Sequence, residues 1–94
     1  MRGIKTTRRF RKDYAKLKRS GRRDLSKLND LMKMLIDEVP LPENYCDHAL
    51  HGDWQGFRDC HVEGDWILVY QIERVGSEEV VIFCATDNHS NLFG

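Results

Sequence analysis

His48, His51, His61 and His89 all lie in the C-terminal half of this 94-residue chain, each within two residues of a carboxylate. The stretch from Tyr45 to Tyr70 reads YCDHALHGDWQGFRDCHVEGDWILVY, and it places Asp47, Asp53, Asp59 and Asp65 within a few positions of imidazoles. Such pairings suit proton transfer near neutral pH, because imidazole titrates there unperturbed and a neighbouring carboxylate can fix its tautomer. His51 fits no such role and is expected to be an exposed loop residue. Cys46, Cys60 and Cys84 add thiols. Neither Cys-x-His-x-x-His nor an adjacent Cys-His pair matches a common zinc spacing, and neighbours on a strand point to opposite faces. No metal site and no cofactor are expected, and nothing marks any cysteine as an activated nucleophile.

The elements that must hold these groups can be read from periodicity. Phe10, Tyr14 and Leu17 recur at four and three residues, the period of an amphipathic helix that Ser20-Gly21 ends. Leu25, Leu28, Met32, Leu35 and Ile36 form a second stripe, started near Asp24 or Ser26 and closed by Pro40 and Pro42 after Glu38. Met1 to Thr7 can form an edge strand. Beyond Pro42 the helical period gives way to strand formers: Trp54 to Val62 interrupted at Gly56, Asp65 to Val75, and Glu79 to Thr86 after a Gly76-Ser77 turn. Glu63-Gly64 is short enough to make the first two a hairpin. The expected fold is α+β, a small antiparallel sheet packed against an N-terminal helical hairpin, with residues 1–94 as a single domain.

Composition narrows the function classes. With 40% hydrophobic and 10% aromatic residues the chain is not of the disordered type. No apolar run approaches the roughly 20 residues of a membrane span, and the basic N-terminal stretch lacks the core of a signal peptide, so a cytoplasmic location is expected. Three cysteines without a Cys-x-x-Cys pair argue against a disulfide framework. The net charge of zero conceals a division: residues 1–38 carry 13 Lys or Arg against 5 Asp or Glu, a balance of +8, and residues 39–94 carry 2 against 10, a balance of −8. A basic stretch of that density attracts polyanions, although charged helix faces are also simply well solvated.

Asp47-His48-Ala49-Leu50 with Gly52 and Trp54, then Phe57-Arg58-Asp59, His61-Val62-Glu63, Asp65-Trp66-Ile67-Leu68-Val69-Tyr70 and the C-terminal His89-Ser90-Asn91-Leu92-Phe93 form a pattern that spans most of the chain. In these residues the sequence resembles the RelE superfamily of bacterial toxins and, within it, the YafQ branch of type II toxin-antitoxin systems. The resemblance implies a RelE-like fold and a ribosome-dependent mRNA endonuclease that inhibits translation without a metal. It implies a catalytic set of His48, His61, Asp65 and His89, supported by Asp59, Arg58 and Phe93. A base must take the 2′-hydroxyl proton and an acid must protonate the departing 5′-oxygen. His48 is assigned the first role and His89 the second, with His61 and Asp65 orienting the phosphate and Phe93 stacking on a base. The basic helix residues Arg8, Arg9, Arg11, Lys12, Lys16, Lys18, Arg19, Arg22 and Arg23 would meet ribosomal RNA in the decoding site of the small subunit. The implied protein partner is a cognate antitoxin, through which operator DNA could also be bound; no membrane partner is implied.

Two positions depart from the family pattern. Ala85 stands where an arginine is expected four residues before the last histidine, and Asp87-Asn88 replace a small Gly-Ser or Gly-Thr pair. A cation at the scissile phosphate supplies about 3 kcal/mol for one well-placed donor. The compensating cation is therefore expected to be Arg58 or a basic helix residue, with Arg58 also a candidate to neutralise Asp87. The alternative is a catalytically weakened binding protein that keeps the fold and the affinity for an antitoxin and RNA. A partner-dependent DNA-binding regulator would need a reading helix, and Arg8 to Lys33 offer charge without a base-reading motif.

Overall fold

The computed structural model describes residues 1–94. The chain runs β1 (Gly3–Thr6), α1 (Arg8–Ser20), α2 (Leu25–Ile36), β2 (His48–Ala49), β3 (Arg58–Glu63), β4 (Trp66–Val75), β5 (Glu78–Asn88) and α3 (His89–Phe93), with single 3₁₀ turns at Glu43–Tyr45 and Gly52–Trp54. The five strands form one sheet in the order β1-β5-β4-β3-β2. As expected the fold is α+β with two N-terminal helices on a small sheet. The sheet is mixed rather than wholly antiparallel: β1 lies parallel to β5, pairing Gly3 with Val80 through Thr6 with Phe83. A parallel neighbour at the edge requires a crossover, and the long path through α1 and α2 supplies it.

Local chemistry sets the helix limits. Thr7 caps α1 by accepting the Phe10 N–H at 3.0 Å, while its hydroxyl donates to the Cys84 carbonyl at 2.7 Å. Gly21, with φ +63°, ends α1 in the left-handed conformation and donates to the Leu17 carbonyl. Asp24 caps α2 through the Ser26 N–H at 3.0 Å. One face of the sheet then buries Cys60, Leu68, Tyr70, Val81 and Phe83 beneath Phe10, Leu28, Leu31 and Leu35 of the helices. Leu31, fully buried, belongs to that stripe although the spacing argument omits it. Trp66 is likewise a core residue, 1% exposed, and its indole N–H donates to the Thr86 hydroxyl at 2.9 Å.

β1 covers β5 only as far as Phe83, so the upper part of β5 has an unpaired backbone edge. The α1 side closes it: the Thr7 hydroxyl takes the Cys84 carbonyl, and Asp13 accepts the Thr86 N–H at 3.1 Å. This satisfies polar groups that would otherwise be buried without partners. The strand expected from Trp54 starts only at Arg58, because Trp54 closes a 3₁₀ turn and Gly56 takes φ +93°. The β3–β4 hairpin turns through Gly64 and Asp65, with a bulge between His61 and Glu63.

Thr7 serves helix and sheet edge together, so Thr7→Ala should lower stability by about 1–2 kcal/mol. For a domain of this size that is a fall of roughly 4–8 °C in Tm per kcal/mol, read by thermal unfolding. A Tm unchanged in Thr7→Ala would show that α1 needs no cap here.

Candidate functional site

The sheet face turned away from the helices carries the histidines. Antiparallel register places His48 opposite Asp59, Asp59 opposite Val69 and Val69 opposite Ala85, one row across four strands. The next row aligns His61, Ile67 and Asp87. Partners directly opposite each other project to the same face, so strand alternation alone brings His48, Asp59 and His61 together. The floor between them is apolar: Ile67, Val69, Cys84 and Ala85 are buried, and Leu50, Trp54, Phe57, Leu92 and Phe93 pack against them. Trp54 stands edge-on to both Phe57 and Phe93, with centroids 5.4 and 5.2 Å apart.

Asp59 is the centre of this face. It is 2% exposed and its Oδ1 has no hydrogen-bond partner. His48 Nδ1 lies 3.1 Å from that oxygen, but it lies 2.7 Å from the Cys46 carbonyl, and the single Nδ1–H goes to the carbonyl. The carboxylate contact is therefore one of charge. Burial pushes the Asp59 carboxyl above the usual range, while positive charge on His48, His61 and His89 pulls it back down. Of the imidazoles, His48 is the one in contact with this buried carboxylate.

His89 is the first residue of α3; Asn88 caps that short helix through the Asn91 N–H, and the His89 N–H donates to the Asp65 carbonyl at 2.9 Å. Its ring meets Phe93 edge-on at 5.0 Å. His61 Nδ1 lies 3.0 Å from the Gly64 carbonyl. In both His48 and His61 a backbone carbonyl engages Nδ1, which leaves Nε2 with its lone pair available to solvent or substrate. Asp65 is exposed and its carboxylate meets the Arg23 guanidinium at 3.4 Å, with Arg23 also 5.2 Å above the Trp66 ring.

The remaining expected residues divide by position. Phe93 belongs to the floor and Asp59 to the centre. Arg58 does not join the histidines: it faces Tyr70 across the β3–β4 pair, on the helix side, where its guanidinium meets Asp47 at 3.1 Å. Adjacent residues of a strand point to opposite faces, so Arg58 and Asp59 cannot share one. Nor does Arg58 neutralise Asp87. That carboxylate lies 4.0 Å from Arg9 and accepts hydrogen bonds from the Asn88 N–H and the Asn91 side chain. Arg8, Arg9, Arg11, Lys12, Lys16, Lys18, Arg19 and Arg22 are exposed along α1 and the turn after it, and Arg23 is half-buried. His51 is an exposed turn residue. Burial holds the Cys60 thiol well above its ordinary range and pushes that of Cys84 up to about 11, so neither is a ready thiolate. The contacts of the Tyr70 hydroxyl with Asp47 and of the Cys46 carbonyl with His48 have no signal in the sequence.

Residues 2–94 match the family described as bacterial toxin of type II toxin-antitoxin system, YafQ. The chain belongs to the YafQ toxin family. It is 42% identical over 94 residues to the mRNA interferase toxin YafQ of Escherichia coli strain K12, covering 99% of this chain and 97% of the relative. Among solved structures it is similar to the YafQ chain in the Escherichia coli DinJ–YafQ toxin-antitoxin complex, at 39% identity and a TM-score of 0.84, with 99% and 98% of the two chains covered. A metal-bound toxin from Helicobacter pylori is also similar, at 38% identity and a TM-score of 0.86, with 99% and 100% covered. The RelE-like fold expected from the residues of the YafQ branch is thus the fold observed.

The raised Asp59 carboxyl has a testable sign. The folded state binds its proton more tightly than the unfolded state, so Asp59 costs no stability below the unfolded carboxylate range and costs progressively more as pH rises through the folded value. Asp59→Asn should therefore stabilise the protein at neutral pH by about 1 kcal/mol, the order of an unpaired buried polar group. The gain should vanish at acidic pH. Urea unfolding of both proteins across pH measures it, and a destabilised Asp59→Asn at neutral pH would mean that the histidines more than offset the burial.

Proposed function

We propose that this YafQ-family toxin is a ribosome-dependent endoribonuclease that cleaves mRNA in the decoding site by metal-independent acid–base catalysis and so inhibits translation. The observation that carries the reading is the placement of His48 3.1 Å from the buried Asp59 carboxylate, with His61 two residues along β3 on the same face. With Nδ1 donated to the Cys46 carbonyl, His48 offers Nε2 to take the 2′-hydroxyl proton, and Asp59 favours the imidazolium that results. His89, anchored through its own N–H to Asp65, returns a proton to the 5′-oxygen. His61 and Asp65 orient the phosphate, and Phe93 stacks on a flanking base. No step needs a redox change or a metal; the proton lost by the 2′-oxygen and the one gained by the 5′-oxygen balance.

Ala85, 3% exposed in the apolar floor, supplies no cation to the phosphate. The basic residue that meets a proposed site residue is Arg23, whose guanidinium lies 3.4 Å from Asp65 at the β3–β4 turn, and we take it as the candidate cation. The exposed basic residues of α1 would contact ribosomal RNA, an interaction that weakens steeply with salt. A cognate antitoxin is the proposed protein partner, as DinJ is for the Escherichia coli relative, and operator DNA would be reached only through it. The protein would work in the cytoplasm. The buried Ala85 also favours a second reading, a weakened member that binds antitoxin and RNA without efficient cleavage.

Purified protein added to programmed ribosomes, with mRNA 5′ ends mapped by primer extension, separates the two. Cleavage should require the ribosome and fall by roughly 10²- to 10⁴-fold in His89→Ala. Arg23→Gln should lower the rate by ~10²-fold, the cost of one electrostatic donor. Cuts that continue undiminished in His89→Ala would overturn the acid–base scheme, and a folded, ribosome-bound protein that makes no cuts would leave the binding reading.

A further inference from the structure

Arg58 and Tyr70 have no part in the scheme above, yet both converge on the residue before His48. The Tyr70 hydroxyl donates to Asp47 Oδ1 at 2.5 Å, and Arg58 reaches Asp47 Oδ2 through Nη2 at 3.1 Å and Oδ1 through Nε at 3.4 Å. Arg58 Nε also lies 3.3 Å from the Tyr70 oxygen, closing a three-residue network. Tyr70 is 2% exposed and fixed in the helix-side core, so the network ties a surface segment to the most rigid part of the fold.

On either side the segment is tied by the 3₁₀ turn that ends at Cys46, whose N–H donates to the Glu43 carbonyl, and by the Leu50 N–H to the Phe57 carbonyl; between these ties its pairing is short. β2 is two residues long, both exposed, and pairs with β3 only at His48–Asp59 and Ala49–Arg58. Cys46, just before Asp47, takes φ +51° as the left-handed cap of the Glu43–Tyr45 turn, donating its N–H to the Glu43 carbonyl at 2.9 Å, and this turns its own carbonyl toward His48. The peptide between Cys46 and Asp47 is the one whose carbonyl receives His48 Nδ1 at 2.7 Å. Its orientation, and so the tautomer of the ring, depends on where Asp47 is held.

We propose that Asp47, Arg58 and Tyr70 form a clamp across the sheet edge that positions His48, holding the Cys46 carbonyl so that Nδ1 stays protonated and Nε2 is free. The three are positioning residues; none touches the open face. Burial and the bond to Asp47 keep the phenol protonated and therefore donating, and the hydrogen bond to Asp47 strengthens the Arg58 cation in turn. The charged groups beside the network are Arg2 and Glu38, which line the same shallow cavity of about 230 Å³ on the helix side. Neither is bonded to Asp47: Arg2 is engaged by Glu79 and the Leu35 carbonyl, and Glu38 by the N-terminal ammonium. The catalytic consequence rests on the reading of His48 as the base, but the tautomer itself does not.

The test uses ¹⁵N-labelled protein and two-bond ¹H–¹⁵N spectra of the histidine rings at a pH where they are neutral, with Tyr70→Phe and Asp47→Ala beside the parent. Tyr70→Phe deletes one hydroxyl and keeps the buried ring, and Asp47→Ala trims an exposed side chain, so at least one variant stays folded. In the parent, His48 should be the Nδ1–H tautomer; in both variants it should drift toward the Nε2–H form that free histidine favours. On programmed ribosomes the same variants should lose roughly 10- to 10²-fold in kcat with little change in KM, the pattern of a misplaced group rather than lost binding. An unchanged His48 tautomer in a folded Tyr70→Phe variant would overturn the clamp. A parent that cuts no mRNA but shows the expected tautomer change would refute the proposed function and leave the clamp standing.

Discussion

Side-chain alternation along β3 is the constraint on which the rest of this molecule turns. Arg58, Cys60 and Val62 point toward the helices, while Asp59 and His61 point away. The first set belongs to the core and the proposed clamp, the second to the candidate site, and one six-residue strand therefore serves both. A slip of one residue would bury His61 and expose Cys60, which is why the register is guarded on both sides: β4 pairs along β3 in an antiparallel ladder, and the buried Trp66 pins the turn end. The bulge between His61 and Glu63 falls where the strand must end and the chain must reverse at Gly64.

Charge is arranged around that sheet with the same economy. The acidic residues belong mainly to the strand half of the chain and the basic ones to the helices, and folding brings the two into contact at the site's margin. Asp65 meets Arg23, and Asp87 lies near Arg9. Such exposed pairs stabilise the fold by little, about 0–1 kcal/mol each. Their effect is on the local field: two carboxylates that would repel a polyanion are each met by a guanidinium from α1 or the turn after it. The penalty expected from Asp87 is thereby reduced without any cation on β5 itself.

Much of this was legible in the sequence because it depends on short-range pattern. Phe10, Tyr14 and Leu17 announced α1, Pro40 and Pro42 closed α2, and the DWILVYQIERV run announced β4. The YafQ likeness reached the family for the same reason, since its residues lie in contiguous runs. What failed depended on register. The resemblance implied Arg58 and Asp59 as joint supports of the site, yet adjacency on a strand puts the two on opposite faces. The parallel pairing of β1 depends on a crossover whose ends are more than 70 residues apart, as Gly3 and Val80 are. Asp47 and Tyr70 meet only because β2, β3 and β4 are neighbours, and no local signal encodes that.

The open face also explains why a partner should complete this site. His48 has 54% of its side chain exposed and His89 is exposed, so water reaches both rings. Only Asp59 is dry. Acid and base groups in water are weakly differentiated, and transition-state charge is poorly stabilised where the dielectric is high. A substrate held by a large external surface would cover the apolar floor of Trp54, Phe57 and Phe93, exclude that water and strengthen the field of Asp59 on the imidazoles. On the proposed reading the ribosome does this, and a small domain with no deep pocket on that face need hold only the proton donors and acceptors in register. The clamp on His48 is consistent with such a division of labour: the substrate's position comes from outside, and the tautomer must come from within.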